Sequence, residues 1–88
     1  MKTFPQARRE ILLYLKSSGW QVSDLNLKIP HATSPDGEFR LWFKPQAVHY
    51  TEGNRHSFGD ARAMYYDFDI RMFNGPSFLT EIERVRQR

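Results

Sequence analysis

The sequence predicts an α+β domain of order α-β-β-β-α, a three-stranded antiparallel sheet with two helices packed on one face. Three observations carry this. Residues 38–44 alternate cleanly, with Phe39, Leu41 and Phe43 on one side and Arg40, Trp42 and Lys44 on the other, the period-2 pattern of a strand with one buried face. Residues 62–73 alternate in the same way, with Met64, Tyr66, Phe68, Ile70 and Met72 on the apolar side. Near the two ends the apolar residues recur at helical spacing instead: Ile11, Leu12 and Leu15, then Phe78, Ile82 and Val85. Two helices with one apolar stripe each would cover one face of the sheet and leave the other to water.

Thr3 is placed to cap the first helix, and Pro5 falls in the first turn, where a proline costs nothing. Gly19 is placed to end it in the left-handed conformation, with Trp20 folding back onto the helix. Residues 24–29 alternate as a first strand, with Leu25, Leu27 and Ile29 inward and Asn26 and Lys28 outward. Pro30 stops that strand, and Ser34, Pro35, Asp36 and Gly37 form a strong turn signal. The second strand follows, and Pro45 interrupts it with a bulge or an edge. Residues 47–51 then read as its continuation. Residues 51–60 read as a loop broken by Gly53 and Gly59, on which Arg55, His56 and Phe58 form a partner surface or, alternatively, Phe58 anchors the loop to the core. Asn74 and Gly75 turn the chain into the last helix, whose acids lie early and whose arginines lie late, as its dipole favours.

Size and composition bound the function classes. The 88 residues suit one domain, 1–88, with ordinary proportions of hydrophobic (40%) and charged (26%) residues. Aromatic residues reach 15%, so a short chain can bury much area with few side chains. There is no cysteine, which points to a reducing compartment and a cytoplasmic location. No apolar run approaches the roughly 20 residues of a membrane span, and residues 1–9 lack the apolar stretch of a signal peptide. The net charge of +3 arises from 13 cations against 10 acids, a balance that permits nucleic acid as a partner without requiring it.

The order α-β-β-β-α resembles, in topology, the double-stranded RNA-binding domain. That resemblance implies reading of A-form shape by the first helix, the loop between the first two strands and a lysine cluster opening the last helix. Here that helix opens with Pro76, Ser77, Phe78, Leu79 and Thr80. None is a cation, and the likeness stops at topology.

The candidate site is the outer sheet face. A ring among cations suits a single-stranded nucleic-acid platform, in which a base stacks and the cations hold phosphates. Arg40, Trp42 and Lys44 supply that pattern on one strand, Lys28 on another, and Arg8 and Arg9 add backbone contacts from the first helix. The structural alternative is that Asp67 and Asp69 neutralise Arg40 and Lys44 across the sheet while Tyr65 or Phe73 covers Trp42. The competing function is a protein-interaction module or small inhibitor, docking a partner or a second copy through the same aromatic face or a sheet edge. His31, His49 and His56 lack the spacing of a metal site. His56, Ser57 and Asp60 hold triad letters but are too close in sequence to align as nucleophile and base. No catalytic residue, cofactor or small-molecule substrate is therefore expected.

Overall fold

Helix α1, Phe4–Ser17, starts where the sequence places it. Gln6 N donates to Thr3 Oγ1 at 3.2 Å, and Thr3 N donates back to Gln6 Oε1 at 2.9 Å. This reciprocal capping box satisfies two donors that the helix start would leave unpaired. Ala7, Ile11, Leu12 and Leu15 form the buried stripe. Gly19, at φ 94°, ends the helix. Trp20 N then donates to Leu15 O at 3.0 Å, and the indole is buried edge-on to Phe39, ring centroids 6.4 Å apart.

The computed structural model describes residues 2–45, 48–52, 64–65 and 69–86. Between the helices runs an antiparallel meander: β1 Gln21–Val22, β2 His31–Thr33, β3 Phe39–Phe43, β4 Val48–Glu52 and β5 Met64–Tyr65. The strands lie side by side in chain order. A 3-10 turn, Ile70–Met72, precedes helix α2, Gly75–Arg86. Asn74 Oδ1 caps α2 by accepting from Ser77 N at 2.8 Å, and Ser77 Oγ accepts from Asn74 N at 3.0 Å.

The α+β class and the antiparallel sheet hold, while the strand count does not. Five strands replace the expected three among the described residues. The expected strand at 24–29 is a loop. Asn26 N donates to Asp24 Oδ1 at 2.9 Å and Leu27 N to Asp24 O at 3.2 Å, local bonds that compete with a sheet ladder. Ser23 pinches the loop shut, donating its N–H to His31 O and accepting from His31 N on Oγ, both at 2.9 Å. Lys28 therefore sits on a loop and not on a strand face, and Leu27 and Ile29 are exposed rather than inward. Residues 48–52 do not extend β3 but return against it, pairing Phe43 with Val48 and Phe39 with Glu52. Of residues 62–73, Met64 and Tyr65 are strand, and Ile70–Met72 winds into the 3-10 turn because Asp69 caps it, accepting from Arg71 N at 2.9 Å. Ile70 is buried as expected, whereas Met72 is 71% exposed. Residues 53–60 of the expected loop, with Arg55, His56 and Phe58, lie outside the described residues, as do residues 66–68.

Phe39, Leu41, Phe43, Val48 and Tyr50 face inward, and with Ala32 they form one cluster with the buried side chains of both helices. Phe43 meets Phe78 of α2 at 5.8 Å, and Phe39 stacks on Tyr50 at 4.9 Å. Both helices thus serve the inner face, and α1 and α2 pack on each other.

Candidate functional site

Alternation along β3 turns Arg40 and Trp42 to the outer face, and Lys44 follows directly. The register then brings other rings beside Trp42. His31 of β2 lies opposite it on one side and His49 of β4 on the other, and Tyr65 of β5 lies opposite His49. Three consecutive strands thus place His31, Trp42 and His49 in one transverse row. His31 and Trp42 are in contact, with centroids 5.0 Å apart and planes tilted by 43°. In the adjacent row Arg40 lies between Thr33 and Thr51.

Arg40 is held to that face. Its Nε donates to Thr33 Oγ1 at 3.1 Å, and its guanidinium carbon lies 5.7 Å from the Trp42 ring centroid, within cation–π range. The expected carboxylate partners are elsewhere. Asp69 forms a bidentate pair with Arg71, closest at 2.6 Å, and Asp67 lies outside the described residues. Phe73 packs toward the core, edge-on to Phe78 at 6.4 Å. Neither Arg40 nor Lys44 has a carboxylate partner among the described residues.

Two histidines register that charge. Desolvation holds the His31 imidazole below its usual value, and the Arg40 charge adds to this against a hydrogen bond to the Ile29 backbone. Desolvation likewise lowers His49, assisted by the charge of Lys44. Both rings therefore favour the neutral form near pH 7.

Trp42 is half-buried. Its Nε1 is fully covered and has no hydrogen-bond partner among the described residues. What remains accessible of the indole is therefore ring carbon, a surface for stacking rather than for hydrogen bonding.

The structure does not bring the six expected site residues together. Arg40, Trp42 and Lys44 share the outer face. Lys28 is an exposed loop residue. Arg8 and Arg9 sit on α1, on the inner side of the sheet. His31 and His49 were missed as site residues. The signal that could have found His31 was its place in a second short alternating segment, His31-Ala32-Thr33, before the turn.

Comparison with protein-family models, with curated proteins and with solved structures yields no match. Among the described residues no group of three histidine, aspartate or glutamate side chains is placed to hold a metal ion, and no helix is long and apolar enough to cross a membrane.

Proposed function

We propose that the protein is a small non-catalytic module that binds single-stranded nucleic acid on its outer sheet face. The observation that carries this reading is the transverse row of His31, Trp42 and His49, flanked by Arg40 and Lys44 with no described carboxylate to neutralise them. A base stacks on the accessible carbon of Trp42, worth about 1–3 kcal/mol. Arg40 and Lys44, on either side along the strand, hold the neighbouring phosphates. Thr33 orients the Arg40 guanidinium by accepting from Nε, which leaves its terminal nitrogens for phosphate.

Tryptophan fluorescence tests it. Trp20 is only 5% exposed, so a response to ligand reports Trp42, and Trp42→Phe must abolish it. Titration with single-stranded and double-stranded oligonucleotides at two salt concentrations should favour the single strand. Binding should weaken steeply with salt, because released counterions drive it. An emission unchanged by either nucleic acid would overturn the proposal. Docking of the same face on a protein or a second copy would instead depend little on salt.

A further inference from the structure

A second, chemically different surface lies on the other side of the molecule. Where α1 meets the loop between β1 and β2, Pro5, Arg8, Arg9, Leu12 and Leu25 line an open cleft of about 180 Å³. Leu12 is buried and forms its floor, and Leu25 is half-buried against the core. The same loop exposes Leu27 by 47% and Ile29 by 38%. The wall is thus aliphatic, with no aromatic ring among its lining residues.

Its charge is uncompensated among the described residues. Arg8 and Arg9 make no ion pair or hydrogen bond with the described residues. Glu10, the helix's one acid, is bound to Lys2 at 2.8 Å. Asp24, the loop's one carboxylate, accepts from the Asn26 amide and pairs with neither arginine. Guanidinium groups with no partner among the described residues, beside an aliphatic trough, complement a ligand that carries carboxylates next to aliphatic side chains. Nucleic acid would use the charges but find no ring to stack on.

We infer that this cleft docks an acidic, leucine-bearing segment of a partner protein, with its carboxylates on Arg8 and Arg9 and an aliphatic side chain against Leu12 and Leu25. The inference stands independently of the role given to the outer sheet face.

The test is NMR of the isotope-labelled full chain, titrated with a short synthetic amphipathic peptide bearing leucines on one face and glutamates on the other. The Arg8 and Arg9 Nε–H signals and the Leu12 and Leu25 methyls should shift, while Trp42 should not. Replacing the peptide's glutamates by glutamine, or its leucines by serine, should weaken binding on the order of tenfold, and Arg8→Gln with Arg9→Gln should do the same. Arg8→Glu with Arg9→Glu should bind the lysine version of the peptide, a rescue that a misfolded variant cannot give. Absence of shifts in the cleft, equal binding of the serine or glutamine peptide, or failure of the charge swap would overturn the inference. So would a single-stranded oligonucleotide shifting the same signals more strongly, which would make the cleft a phosphate site.

Discussion

Gly75 offers a sharp test of how the two helices meet. It is buried at the first position of α2, and its φ is not positive, so any L residue fits its backbone. Its smallness serves another purpose. A Cβ built there overlaps Cβ and Cγ of Tyr14 in α1 and lies 3.0 Å from Cδ2. The first of these is set by the backbone of α1 and cannot swing away by a rotamer change. Gly75→Ala must therefore push the helices apart, at the about 1–3 kcal/mol typical of an overpacked contact. Helix propensity alone would favour alanine by up to about 1 kcal/mol, so the two effects have opposite signs. In a domain of this size each kcal/mol moves Tm by about 4–8 °C. Thermal melts followed by circular dichroism should place Gly75→Ala several degrees below the native chain. In a Tyr14→Gly background the same substitution should cost much less, because the colliding stem is gone. A Gly75→Ala protein that melts at or above the native temperature would refute the close approach of α1 and α2 at Tyr14.

Two pH effects follow from the sheet. The Asp36 carboxyl is pulled from 3.8 to about 2, chiefly by the Ser34 hydroxyl, then by the Glu38 amide and Arg86. A carboxyl held lower in the folded than in the unfolded chain stabilises fully above its unfolded value and loses that contribution as pH falls. Urea midpoints should drop between about pH 4 and pH 2, and drop less in Asp36→Asn; equal slopes would sink the assignment. His31 and His49 are held below 6.5, so the folding contribution of their neutral forms is complete above that pH and fades below it. Bound phosphate opposes that shift. NMR midpoints of both imidazoles should rise on adding oligonucleotide, and affinity should grow as pH falls through those midpoints; midpoints unmoved at saturation would place the phosphates elsewhere.

The parts of the fold that were legible are those fixed by local chemistry. The Thr3 cap, Gly19, and the turn in which Gly37 N donates to Ser34 O at 2.9 Å with Gly37 at φ 78° all follow from residues within a few positions of each other. β3 was legible because its alternation is long and its inner face is wholly buried. Residues 24–29 alternate equally well, yet Asp24 bonds its own backbone neighbours and ends the strand before it begins. Periodicity reports which residues can share a face; it does not report whether side chains capture the ladder's donors first. The same competition at Asp69 turns the end of another alternating stretch into a 3-10 turn.

The division of the cations has the same origin and a direct consequence. Charge per segment can be counted along a chain, but the side of a sheet cannot. Residues 1–20 hold most of the net charge, and their helix is committed by Ile11, Leu12 and Leu15 to the inner face, so Arg8 and Arg9 face away from Trp42 across the sheet. One strand of nucleic acid lying on the outer face would reach Arg40 and Lys44 but not α1. Arg40→Gln should accordingly weaken oligonucleotide binding and lower its salt slope by about one unit, the amount expected for one lost phosphate contact. Arg8→Gln with Arg9→Gln should leave that slope unchanged. Should the helix pair lower the slope as much as Arg40 does, the ligand must wrap the sheet edge, and the two faces would act as one site.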